Sequence, residues 1–156
     1  MLAYRGDGKG LRVLLITSRG TRRWVVPKGG LLAGMTPGES AAEEAFEEAG
    51  VRGRVDRRCL GFYTYGKLQG GGRVFCRVRV YAMRVSAEFP DWPERRQRRR
   101  AWMTVESAIA RVREPGLRKI LAVFAAASEA GNLPVRRPAR PWYDPRAGRN
   151  RDTRNR

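Results

Sequence analysis

The 156-residue sequence predicts an α/β domain, and three segments carry that expectation. Residues 11–18 (LRVLLITS) are a short apolar run, rich in β-branched side chains and flanked by glycines, which is the pattern of a buried strand. Residues 37–49 sit between a full set of helix start and stop signals. Leu117, Ile120, Leu121 and Phe124 recur at i, i+3, i+4 and i+7, which predicts an amphipathic helix packed on a sheet. A chain of this length buries a core without help from metals or crosslinks.

Downstream of the first strand, RWVVP (23–27) reads as a second short extended piece that ends at Pro27. KGGLLAGMTPG follows as a glycine-rich loop, too irregular for either period. Thr36 is the expected N-cap of the first helix, Pro37 its first residue and Glu39 its partner in a T-x-x-E capping box. Gly50 ends it. Residues 55–67 and 73–86 predict two strands joined by a turn at Gly70, Gly71 and Gly72. Alternation puts Val74, Cys76, Val78 and Val80 on an apolar face, and Arg73, Phe75, Arg77, Arg79 and Tyr81 on a basic and aromatic one. FPDWPERRQRRR (89–100) is a polar, proline-interrupted loop, and residues 101–103 are extended. Thr104 caps a helix containing Ser107 and Ile109, which Glu114-Pro115-Gly116 breaks. The domain is expected over residues 1–133. The tail at 134–156 holds four prolines, eight arginines and almost no aliphatic residues, a composition that predicts disorder.

Composition removes several kinds of chemistry. There is no histidine, so histidine acid–base catalysis and histidine-ligated zinc are excluded. Cys59 and Cys76 are too few for a disulfide framework and are not spaced as a metal clip. No run approaches the roughly 18 apolar residues of a membrane span, and the start lacks a secretory pattern, so a cytoplasmic protein is expected. The net charge is +18, and lysine occurs only at Lys9, Lys28, Lys67 and Lys119, the other basic residues being arginine. GC-rich coding and a surface that binds polyanions explain that bias equally well, and either gives salt-sensitive adhesion to polyanions.

Acid is scarce in this chain, yet five of its fifteen carboxylates fall between Glu39 and Glu48. At about 100° per residue, Glu44, Glu47 and Glu48 share an arc of about 100°, with Glu43 beside it. Ala41, Ala42, Ala45, Phe46 and Ala49 take the inward face. Like charges at these spacings repel by a few tenths of a kcal/mol per pair. Solvent or a cation must relieve that repulsion. A set of hard oxygens without imidazole or thiolate favours Mg²⁺ or Mn²⁺ over zinc.

Residues 29–51, GGLLAGMTPGESAAEEAFEEAGV, resemble the Nudix box, G-x5-E-x7-R-E-U-x-E-E-x-G-U, in which U is aliphatic. Gly29, Glu44, Ala45, Glu47, Glu48, Gly50 and Val51 match without insertion. Met35 stands where the first Glu is expected, and Glu43 where the Arg that helps hold the carboxylates is expected. VVPKGG before the box, and DWPE with its arginines after it, are similar to the diphosphoinositol-polyphosphate and diadenosine-polyphosphate branch. The resemblance covers roughly residues 2–126. It implies an α/β/α Nudix sandwich with a mixed β-sheet and Mg²⁺-dependent hydrolysis of a phosphoanhydride, with Mn²⁺ as a substitute.

On the same resemblance Glu44 and Glu48 hold metal with the Gly29 carbonyl, and Glu47 activates water or binds a second ion. Asp91 and Glu94 are candidates for a further carboxylate. Lys28, Gly30 and Arg23 are candidates for contact with the substrate, extended by Arg73, Arg77 and Arg79. The arginines at 95–100 pair either with a polyphosphate chain or with the acidic helix. Trp92 and Trp102 read as packing residues, whereas Trp142 and Tyr143 in the tail have no core to join. The implied substrate is an anionic small molecule, a dinucleoside polyphosphate or an inositol pyrophosphate. The rival from another class is a catalytically weakened binder of nucleotides or RNA that uses its basic tail. The sequence is silent on oligomeric state.

Overall fold

The computed structural model describes residues 1–134. A six-stranded mixed sheet forms from β1 (Leu2–Arg5), β2 (Arg12–Thr17), β3 (Trp24–Val25), β4 (Val51–Gln69), β5 (Gly72–Glu88) and β6 (Arg100–Met103). The strands run β3-β2-β1-β5-β4, with β6 also paired to β2. β1 lies parallel to β5, Leu2 opposite Ala82, while every other pair is antiparallel. Three helices complete the domain: α1 (Pro37–Ala49), α2 (Val105–Arg111) and α3 (Pro115–Glu129).

Side-chain alternation in the central strands divides the core in two. Leu2, Tyr4, Val13 and Leu15 point to the layer that holds α2 and α3, where they meet Leu117, Leu121 and Phe124. Met1, Ala3, Leu14 and Ile16 point the other way, to Ala45, Ala49 and Val51 beside α1. The result is the α/β/α sandwich with a mixed sheet.

Three sequence expectations need correction. The strand Leu2–Arg5 has no counterpart in the sequence reading, although it is the element that joins the two halves of the sheet. β4 begins at Val51, directly after the helix, and not at residue 55. Gly53 looks like a breaker, but a Cβ there would lie 2.1 Å from the Arg84 carbonyl oxygen, so glycine is what lets the two strands approach. The proposed apolar face of the hairpin is buried only near the sheet. Val80 is fully buried and Val78 packs on the core, but Val74 is 42% exposed because no element among the described residues lies beneath the hairpin's far end.

The packing reading holds for Trp102, which rests on the α1-side core and donates from Nε1 to Glu88 Oε2 at 2.9 Å. Trp92 lies beneath the Arg100 guanidinium, 4.0 Å from its ring centroid. Trp142, Tyr143 and the rest of the tail from 135 lie outside the described residues.

Candidate functional site

α1 keeps the predicted bounds because both ends are satisfied locally. Thr36 Oγ1 accepts from the Glu39 N–H at 3.3 Å, and Glu39 Oε2 accepts from the Thr36 N–H at 2.8 Å. Gly50 closes the helix at φ 62°, donating to the Phe46 carbonyl at 2.8 Å. With alanines turned to the sheet, the three glutamates lie along one edge in graded environments. Glu48 is buried, Glu44 is half-buried and Glu47 is exposed.

Gly29 lies directly against this edge. A Cβ there would fall 1.7 Å from Glu44 Oε1, so glycine lets the loop backbone approach the carboxylate in its present rotamer, which a larger residue would displace. Burial holds the Glu44 carboxyl above its ordinary range, reinforced by the charges of Glu48, Glu47 and Glu94. Burial also raises Glu48, against the opposing pull of the Lys28 N–H and the Arg98 guanidinium. Lys28 is pushed down, first by burial. Among the described residues no three His, Cys, Asp or Glu side chains are drawn together tightly enough to enclose an ion. The hard oxygens of Glu44 and Glu48, near enough that each disfavours the other's charge, nonetheless fit a divalent cation, which would relieve that repulsion.

A cavity of about 500 Å³ opens from the same loop. Lys28, Gly29 and Gly30 form one side, and Tyr65, Lys67, Arg77 and Arg79 from the hairpin form the other. No carboxylate lines it. The Lys28 ammonium lies 4.6 Å from the centre of the Tyr65 ring. Of the predicted substrate residues, Lys28 and Gly30 therefore border this cavity, while Arg23 is drawn aside. Its Nη1 sits 3.5 Å from Oε1 of Glu114, a buried carboxylate that the sequence reading did not single out. Arg73 does not line the cavity; its guanidinium stacks near Phe75.

The arginine run divides. Arg98 is buried and donates to Glu48, Glu94 and the Thr17 carbonyl. Arg100 donates to the carbonyls of Ala49, Gly50 and Phe89, the first two at the C-terminus of α1. Arg95, Arg96 and Arg99 stay exposed and line a separate concavity with Arg22. The acidic-helix alternative is thus met by Arg98 and Arg100, while Arg95, Arg96 and Arg99 face outward. Of the two extra carboxylates, Glu94 reaches the edge of the site and Asp91 is exposed without a side-chain partner among the described residues. Lys67, Glu114 and Arg98 were not individually legible, because neither strand alternation nor a charge run ranks one residue above its neighbours.

Comparison with known proteins agrees with this arrangement. The NUDIX domain model matches residues 1–124. Nudix hydrolase 12, mitochondrial, of Arabidopsis thaliana is 34% identical over 126 residues, covering 76% of this chain and 61% of that protein. Nudix hydrolase 16, mitochondrial, of the same plant is 36% identical, covering 74% and 66%. Human diphosphoinositol polyphosphate phosphohydrolase 3-beta is 36% identical over 110 residues, covering 69% and 63%. The chain thus spans under two thirds of the length of these relatives.

Among solved structures, a C. elegans Ap4A hydrolase binary complex superposes with a TM-score of 0.59 at 20% identity, covering 80% of this chain and 91% of that one. The NUDIX hydrolase from Nitrosomonas europaea gives 0.61 at 20% identity, covering 86% and 90%. At such identities the likeness establishes the fold. With the domain match across residues 1–124 and the glutamates of α1 set against Gly29, the chain belongs to the NUDIX family.

Proposed function

We propose that the chain hydrolyses a phosphoanhydride bond in a polyphosphorylated small molecule, with Mg²⁺ or Mn²⁺ as cofactor. The observation that supports this most directly is a largely apolar cavity without acidic residues, into whose lining Lys28, Lys67, Arg77 and Arg79 bring positive charge, and which shares Gly29 with the Glu44 edge. Cations without carboxylates select a polyanion, and the adjoining carboxylates select a divalent ion. Glu44 and Glu48, with the Gly29 carbonyl, would hold that ion. When bound, it neutralises the diphosphate and polarises the attacking water.

In this reading Glu47, exposed and without an ion-pair partner among the described residues, takes the proton from the attacking water on a carboxylate oxygen. Lys28, Gly30, Lys67, Arg77 and Arg79 orient the phosphates, whereas Arg23, the other candidate for substrate contact, would have to leave Glu114 to reach them. The proposed substrates are a dinucleoside polyphosphate and an inositol pyrophosphate. The similarity to proteins named diphosphoinositol polyphosphate phosphohydrolases supports the second. The tail at 134–156 is the proposed contact to RNA or another polyanion. No helix among the described residues is long and apolar enough to cross a membrane, and the cytoplasm is the proposed compartment.

The test is hydrolysis of dinucleoside polyphosphates, inositol pyrophosphates, nucleotide sugars and nucleoside triphosphates with each cation, beside Glu47→Gln. Turnover of one class is expected, with a loss of about 100-fold or more in the variant. Failure to hydrolyse any of them with either cation would sink the enzymatic reading.

A further inference from the structure

Glu48 differs from its two neighbours in being held at both oxygens. Its Oε2 accepts from the Lys28 backbone N–H at 2.8 Å, and its Oε1 accepts from Arg98 Nη2. Neither Glu44 nor Glu47 has a hydrogen-bonded side-chain partner among the described residues. No cation on α1 supplies the second hold. Position 43 is itself a glutamate, and its Oε1 is 3.1 Å from Nη1 of Arg52, whose guanidinium lies over the Phe46 ring. The donor comes instead from fifty residues downstream.

Arg98 is well placed for that task. Its side chain is 7% exposed, and its position does not depend on Glu48. Nε donates to Glu94 Oε2 at 2.5 Å, and Nη1 to the Thr17 carbonyl at 3.1 Å, at the end of β2. The Glu94 N–H in turn donates to the Glu47 carbonyl at 3.0 Å, which ties the loop to the last turn of α1. Glu94, which Arg19 also approaches, offsets part of the guanidinium charge, and Arg98 reaches Glu48 both as a charge and as a directional donor. A carboxylate oxygen has two lone-pair directions, and one donor on each oxygen leaves one direction free on each.

We propose that Arg98 is a positioning residue for Glu48: through its bonds to Glu94 and the Thr17 carbonyl it fixes the Glu48 carboxylate with its free lone pairs turned to a divalent cation. The inference rests on the reading of Glu48 as a cation ligand, and it adds that the orienting group of this chain lies in the β5–β6 loop. Groups that orient a ligand from behind change metal affinity or activity by about 10- to 100-fold.

The experiment measures Mn²⁺ binding by calorimetry on the full chain without substrate, together with steady-state kinetics, for wild type, Arg98→Gln, Arg98→Lys and Glu94→Gln. Arg98→Gln is expected to weaken Mn²⁺ about 10-fold and to lower kcat about 10- to 100-fold, with KM within about twofold. Arg98→Lys, which retains a donor but not the fork, recovers part of both losses. Glu94→Gln keeps the Arg98–Glu48 bond and loosens its support, giving a smaller change of the same sign, and it provides the measurement if Arg98→Gln does not fold.

Tighter Mn²⁺ binding in Arg98→Gln would overturn the proposal, because Arg98 would then compete with the cation. A raised KM with unchanged kcat would also overturn it, because Arg98 would then contact substrate. If wild type binds Mn²⁺ but cleaves nothing, the hydrolase reading fails and the binding arm still decides the role of Arg98.

Discussion

The two longest helices cover opposite faces of one sheet by different means. α3 buries Leu117, Leu121 and Phe124, each fully or nearly so, and the Phe124 ring meets Tyr4 edge-on with centroids 5.0 Å apart. Large apolar side chains are worth about 1.5–3 kcal/mol each when fully buried. α1 buries Ser40, Ala45, Glu48 and Ala49, which supply little apolar area. Its position is set at the ends, by the Thr36–Glu39 box at one and by Arg100 on the Ala49 and Gly50 carbonyls at the other. Small side chains let α1 lie close to the sheet with its glutamates at the rim. Of the two helices, α3 thus contributes the larger apolar side chains to the core and α1 carries the candidate chemistry.

The largest expected effect tests the stabilising face. Phe124→Ala should cost about 3–5 kcal/mol in denaturant unfolding, from lost burial, the cavity left and the Tyr4 ring contact. A cost below about 1 kcal/mol would remove the contrast between the helices.

Next comes the capping box, where Thr36→Ala should cost about 1 kcal/mol by thermal or denaturant unfolding. The Thr36 N–H and hydroxyl hold the Glu39 carboxyl below its ordinary range. Its contribution is therefore complete above the unfolded pKa of about 4.3 and is lost as pH falls through the lower folded value. Glu39→Gln should flatten that acid limb of the melting profile, and an unchanged profile would count against the box as an anchor.

The smallest effect has the opposite sign. Burial and its acidic neighbours raise the Glu44 pKa, so the charged form is penalised in the folded state at neutral pH, and the penalty eases as pH falls through the folded pKa. Glu44→Gln should raise the melting temperature in chelator by about 1–2 °C, modest because the group is only part-buried. It should also abolish stabilisation by added Mn²⁺. A lower melting temperature in chelator would show that Glu44 supports the fold rather than burdening it.

Much of the site was legible because its signals are local. The bounds of α1 follow from Thr36, Pro37, Glu39 and Gly50, all within one turn of its ends, and the shared edge of Glu44, Glu47 and Glu48 follows from helical phase. β1 was not legible, since four residues show too little alternation and owe their strand state to partners at Val13 and Ala82. The far half of the hairpin misled for a related reason. Its alternation is real, but burial requires a layer beneath it, and among the described residues Val74 has none.

The sandwich class came through the resemblance of residues 29–51 to the Nudix box, whereas the sequence by itself determined the acidic helix, the shared edge of its glutamates and the positions of its caps. Those properties depend on residues within about four positions of one another, where backbone geometry is nearly fixed. Tertiary structure alone decided that Gly29 meets Glu44, that Arg23 pairs with Glu114, and that Arg98 rather than its neighbours grips Glu48. Adjacent arginines are chemically identical as sequence. Only the path of the loop across the end of α1 turns one guanidinium inward to bonded acceptors and leaves the next in water.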